Sequence, residues 1–335
     1  MNGLFGESLD SPVECQPHAI VADRHLSAGS KNPSRRAIFC AAITIVLGLL
    51  GQSVVQAADP LQLLIIDGQN NHDWKTTTPI LKSFLEETGR FAVDVATSPA
   101  SGSPKERWDT FAPNFSNYGV VLSNYNGELW PERVQRVLEA YVSGGGGVVI
   151  VHAANNAFEG WPEWNAMIGL GWRSAGFGMR ITVGDDGRIV RTSRGKGVGA
   201  GHGRQHAYSV VVRDREHPIM KGMPREWIHA KDELYHGQRG PALNMHILAT
   251  AFSEKGTGGT GSHEPLAWWI PYGKGRVFTT LMGHADYSMR CVGFQTVVSR
   301  GAEWAATGEV SLPIPKTFPT PESQSSAADN SGSGR

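Results

Sequence analysis

The sequence predicts an α/β fold, a parallel sheet with helices on both faces and a β-rich insertion in the second half. Three observations carry this. Continuous apolar runs at residues 61–66, 118–123 and 147–151 have the character of strands buried on both faces. Segments with helical apolar spacing stand between them. Beyond Arg180 that spacing gives way to extended segments and glycine-rich turns.

In chain order, LQLLII at 61–66 is the first strand. Thr78-Pro79 opens a helix with proline in its first turn, and Ile80, Leu81, Phe84 and Leu85 form its apolar face before Gly89 ends it. Residues 91–95 and 118–123 are the second and third strands. Pro131 starts a second helix with Val134, Val137, Leu138 and Tyr141 as its stripe, and the run of glycines from Gly144 to Gly147 stops it. GVVIV at 147–151 is a fourth buried strand. Residues 245–252, 266–270 and 276–281 are further strands, and a helix over 289–306 closes the fold. These elements compose one domain rather than two independent folds.

The 335-residue chain divides as 1–57, 58–312 and 313–335. The first part holds Ser34-Arg35-Arg36, an apolar run over 37–50 and small residues before Ala58, the pattern of a signal peptide. The arginine pair also resembles a twin-arginine signal. The expectation is export to the periplasm or the exterior, without stable membrane insertion after cleavage; the alternative is an uncleaved N-terminal anchor. The last part, rich in Pro, Ser, Gly and Asn, is expected to be a disordered tail.

Lys plus Arg and Asp plus Glu both number 31, so the formal charge is zero. That argues against a nucleic-acid partner, which demands a basic face. Cys15 and Cys40 fall in the N-terminal part, leaving only Cys291 in the domain. A disulfide framework and a cysteine-rich metal site are therefore excluded.

Ligands of open parallel sheets bind beyond the carboxyl ends of the strands. The first strand is followed there by Asn70, Asn71 and His72, the third by Asn124 and Asn126, the fourth by His152 and Asn155, and the last by His284. Amides offer both donor and acceptor to sugar hydroxyls. Imidazoles serve as acid, base or metal ligand near neutral pH. His202 and His206 add imidazoles four residues apart, though the glycines around them argue against a helix. Glu233 is the carboxylate assigned to acid–base work, on a family resemblance that its segment HAKDELYH carries. Of Trp161, Trp164 and Trp172, which follow the His152 loop, one is expected to stack on a sugar ring, with Trp161 assigned to that role and Tyr235 beside it. The resulting expectation assigns His152, Glu233 and His72 to catalysis, and Asn70, Asn71, Asn124, Asn126, Asn155, Trp161 and Tyr235 to substrate. His202, His206 and His284 are candidate ligands for a divalent metal.

The strings DGQNNHDW, SNYNGELWPE, VVIVHAANNAFEGWPEWNAMIGLGW, HAKDELYH and YGKGRVFTTLMGH resemble the trehalose-utilisation (ThuA-like) family, in order across most of 61–310. The resemblance implies a fold like the class I glutamine amidotransferases, a flavodoxin-like three-layer α/β sandwich. Those enzymes carry a nucleophilic cysteine on the turn after a central strand. This chain has His152 there, so cysteine-dependent amidotransfer is not expected. The family association implies a small-molecule carbohydrate partner, a glycoside or 3-keto sugar, cleaved or modified by acid–base chemistry. The alternative is a non-catalytic carbohydrate-binding or sensing protein. Oligomeric state is not legible.

Overall fold

The computed structural model describes residues 59–328. The expected signal segment lies outside the described residues. Among the described residues, no helix is long and apolar enough to cross a membrane.

The elements run β1 (Leu61–Asp67), α1 (Trp74–Glu87), β2 (Phe91–Thr97), α2 (Lys105–Thr110), β3 (Val120–Ser123), α3 (Glu132–Gly144), β4 (Gly147–Val151) and α4 (Pro162–Ile168). The second half contributes β5 (Arg180–Val183), β6 (Ile189–Thr192), β7 (Gly201–His202), β8 (His206–Val212), β9 (Glu226–Asp232), β10 (Tyr235–His236), β11 (His246–Ser253), β12 (Ser262–Tyr272) and β13 (Gly275–Thr280). The short α5 (Asp286–Met289) and α6 (Val292–Thr307) follow.

Strands β2-β1-β3-β4-β13 lie side by side and parallel. The same sheet continues antiparallel through β12, β11, β8 and β9. The β-rich second half is therefore an extension of the central sheet, not a separate module. Alternation explains the unbroken apolar runs. Leu63 and Ile65 pack with α1 and α6 on one face, whereas Leu64 and Ile66 pack with α2, α3 and α4 on the other. Both faces are dry, so every position is apolar, and the result is a three-layer α/β sandwich.

Two expectations are corrected. Helix α1 begins at Trp74, not at Thr78-Pro79, because the Asp73 carboxylate caps it by accepting the Thr76 N–H. Pro79 stands inside that helix. The tail is not disordered over 313–328. Phe318 is buried against Trp227 with ring centroids 5.3 Å apart. The carbonyl of Thr320 accepts the Ile228 N–H, that of Ser325 accepts the Val292 N–H, and Ala327 donates to Arg290. Composition signalled disorder, but a few apolar side chains and these ladder bonds suffice to dock the strap.

The first prediction arises here. His217 lies in a half-buried notch against Trp304 and Trp269, where its Nδ1 accepts the Ile219 N–H. Burial pushes its pKa down to about 4 from 6.5. The folded state thus holds a neutral ring where the unfolded chain takes up a proton. Stability from this site is complete above about pH 6.5 and is lost as pH falls toward 4. Thermal melts across this window should show His217→Asn flattening the decline; an unchanged slope refutes the assignment.

Candidate metal centre

Four strand ends meet at one edge of the parallel sheet. Gly68, at φ +114°, turns the chain out of β1, and a Cβ there would stand 2.5 Å from the Ser98 hydroxyl. This sharp exit delivers Asn70, Asn71 and His72. His152, immediately after β4, adopts φ +42°. A left-handed backbone is costly for a residue with a Cβ, and here it folds the chain into a 3₁₀ turn at the strand end. Gly283, at φ +107°, makes the corresponding bend before His284; a Cβ there would meet the Phe294 ring at 2.7 Å. Glu233 directly follows β9.

The four side chains converge. The Glu233 Oε2 lies 3.1 Å from His284 Nδ1 and 3.7 Å from both His72 Nε2 and His152 Nε2. One donor atom from each of His72, His152, Glu233 and His284 falls within 4.8 Å of all the others. An ion bound at about 2.0–2.2 Å from nitrogen and oxygen ligands separates them by comparable distances. The cluster is therefore compatible with metal coordination.

Two of the imidazoles are held with their free nitrogens inward. His152 Nδ1 faces the Leu281 carbonyl at 2.7 Å. That assigns the ring proton to Nδ1 and leaves Nε2, buried and without a hydrogen-bond partner, as a lone pair. His72 Nδ1 likewise donates to the Asn70 Oδ1 at 3.2 Å. Burial drives the His72 pKa down, with Glu233 opposing and the neighbouring imidazoles reinforcing. Burial alone would raise the Glu233 carboxyl, but its contacts with His152, His284 and His72 hold it far below the usual carboxylate range. A carboxylate thus faces three imidazole nitrogens, a donor set suited to a divalent cation.

A cavity of about 400 Å³ opens over the cluster. His72, Glu233 and His284 reach it, and Asn71, Asn156, Trp172, His202 and Tyr235 complete its lining. Two side-chain amides and two aromatic rings thus stand beside the donor set. A larger groove of about 540 Å³ lies between α1, α6 and the 312–328 strap, and no imidazole lines it.

The sequence-predicted residues sort as follows. His72, His152, Glu233 and His284 come together. Asn71 and Tyr235 line the cavity, and Asn126 donates its amide to Asn71. Asn70 orients His72 rather than facing the cavity. Asn124 is buried, donating to the hydroxyls of Thr77 and Thr78 on α1. Asn155 is wholly buried, its amide donated to Gln238. Trp161 is buried among Trp130, Phe158 and Trp164, with its indole donated to Glu139. His202 stands at the cavity wall, 3.8 Å from Glu233 but outside the four-donor set. His206 faces the Arg204 carbonyl, away from that set.

Sequence reasoning assigned Asn155 and Trp161 where the cavity is lined by Asn156 and Trp172, and it missed Gln205. A 3₁₀ turn or an irregular loop gives no period from which to read orientation. Gln205 bridges the site: its amide donates to Glu233 Oε1 and lies 3.0 Å from His284 Nε2, while its carbonyl accepts from the Tyr287 hydroxyl. Cys291, the cysteine of the domain, is fully buried.

Residues 62–305 match the family model described as trehalose utilisation, ThuA. The chain belongs to this family. A ThuA-like protein of known structure from Parabacteroides merdae ATCC 43184 is 45% identical, with a TM-score of 0.76 over 80% of this chain and 98% of that one. A second, from Bacteroides uniformis ATCC 8492, is 18% identical with a TM-score of 0.51, covering 78% of this chain and 97% of that one; it supports the fold alone. No curated protein matches the chain. Within this ThuA domain the matched span contains all four residues of the cluster.

Proposed function

We propose that this ThuA-family protein is a carbohydrate-active enzyme that cleaves or modifies a glycoside or 3-keto sugar, with a divalent cation held by His72, His152, Glu233 and His284. The observation that carries the reading is the convergence of those four donors beneath a cavity with amide and aromatic walls. The strand order β2-β1-β3-β4-β13 supports a flavodoxin-like parallel core, with His72, His152 and His284 beyond the carboxyl ends of β1, β4 and β13. Export of the chain belongs to the same proposal, since a periplasmic or extracellular enzyme meets sugars directly.

A bound cation would supply Lewis-acid polarisation of a substrate oxygen. The protein's own groups do the rest. Trp172 and Tyr235 offer ring faces, while Asn71 and Asn156 exchange hydrogen bonds with hydroxyls. A keto group at C3 acidifies the proton at C2, and removing it allows the glycosidic bond to break by elimination. His152 and Glu233 are occupied in the donor set. His202, its side chain 39% exposed at the cavity wall, is the imidazole placed to exchange a proton with substrate. Replacing His202 with Ala should lower kcat by about 10²–10⁴-fold with metal affinity unchanged. Equal kcat in variant and parent would remove His202 from the mechanism.

The test of the main reading is direct. Purified protein is assayed for bound metal by elemental analysis, then for turnover of 3-keto and unmodified glycosides with and without added Zn²⁺, Mn²⁺ or Ni²⁺. Metal-dependent turnover supports the proposal; a metal-free, inert protein defeats it. The donor count favours one alternative under a single condition. A tetrahedral ion such as Zn²⁺ is saturated by four protein ligands, which suits a carbohydrate-binding or sensing protein. An octahedral ion keeps two open positions for substrate.

A further inference from the structure

Asp232 is wholly buried and occupies a position no acid–base role explains. Its two carboxylate oxygens accept four hydrogen bonds. One comes from His229 Nε2 at 2.8 Å, one from the Glu233 N–H at 2.9 Å, one from the Gly283 N–H at 2.8 Å and one from the His284 N–H at 3.0 Å. Glu233 and His284 are separated by about fifty residues, yet one carboxylate holds the backbone of both. The loop it grips also presents the Leu281 carbonyl that orients His152. Three of the four donors thus take their placement from the 281–284 loop or the Asp232 carboxylate.

We propose that Asp232, oriented by His229, is a positioning residue that presets the spacing of the metal donors by clamping the Glu233 and His284 backbones together. This rests on the metal reading above. A buried carboxylate is expensive unless fully hydrogen-bonded, and here three of its four bonds register the backbone of the site. His229 is buried to the same degree and gives Asp232 its remaining donor. Neither side chain is in the four-donor set or lines the cavity, so both act through the ligands rather than on substrate. The clamp also accounts for the Gly283 bend: its N–H must point at Asp232 while the next residue turns its ring toward Glu233.

The test uses the full-length protein loaded with Co²⁺, whose visible spectrum reports ligand geometry, and measures affinity by chelator competition. Asp232→Asn keeps the shape but turns an N–H₂ group against backbone donors. It should weaken Co²⁺ binding by about 10–100-fold and alter the spectrum. His229→Gln retains an N–H donor for Asp232, whereas His229→Leu removes it. The expected result is near-parental affinity for Gln and weakened affinity for Leu, a contrast that loss of packing alone does not produce. That pair decides the matter if Asp232→Asn is insoluble. Parental affinity and spectrum in Asp232→Asn, or equal affinity in the two His229 variants, overturn the clamp while leaving the metal centre standing. Failure of the parent to bind Co²⁺ or any other divalent ion overturns both.

Discussion

Glu233→Gln is expected to strip the protein of its metal and of turnover, with more than about 100-fold loss of affinity, exceeding what outer-shell changes cause. Glu233 is the only carboxylate of the donor set, and its Oε2 faces all three imidazoles. Gln has the same volume, so the packing around the loop is kept, but it brings no charge to offset the cation. The three remaining imidazoles are neutral ligands, and they would then confront the ion without an anion in a half-buried site. Elemental analysis of the purified variant checks the first claim and glycoside turnover the second. A variant that copurifies with one equivalent of metal and turns over at the parental rate would refute the assignment of Glu233.

Removing the strap is expected to have the largest effect on stability. Truncation after Leu312 deletes Phe318 and exposes Trp227, which is buried beneath it. It also removes the bonds to Ile228 and Val292. Loss of a buried phenylalanine alone costs about 3–5 kcal/mol. At about 2–4 °C per kcal/mol for a domain approaching this size, the melting temperature should fall by roughly 6–20 °C. Phe318→Ala should reproduce much of that fall without shortening the chain. Ile228 lies on β9, the strand that ends in Asp232 and leads to Glu233, so metal affinity should fall with the truncation as well. An unchanged melting temperature in both variants would show that the strap contributes nothing.

The central sheet was legible because its strands are dry on both faces. Continuous apolar runs such as LLII in β1 and VVIV in β4 have no other economical explanation at that length. The same logic pointed to the strand ends and to His72, His152 and His284 there, the first two as catalytic groups and the third as a metal ligand, whereas Glu233 was singled out by the HAKDELYH resemblance. Helix boundaries were less legible: the proline of α1 suggested a start several residues after the Asp73 cap. The strap was misread because composition averages over a segment, whereas docking depends on where one phenylalanine falls.

What the sequence determined by itself was the set of chemical groups and the edge of the sheet at which they gather. Local patterning suffices for that, since strand identity and strand ends are properties of short segments. Only the tertiary structure decided which amide and which indole reach the cavity, Asn156 rather than Asn155 and Trp172 rather than Trp161. It alone joined four residues far apart in the chain into one donor set, and it excluded His206. The reason is physical. Orientation at these positions comes from left-handed turns at His152 and Gly283 and from one buried carboxylate at Asp232. Those constraints act between distant segments and leave no periodic trace in either.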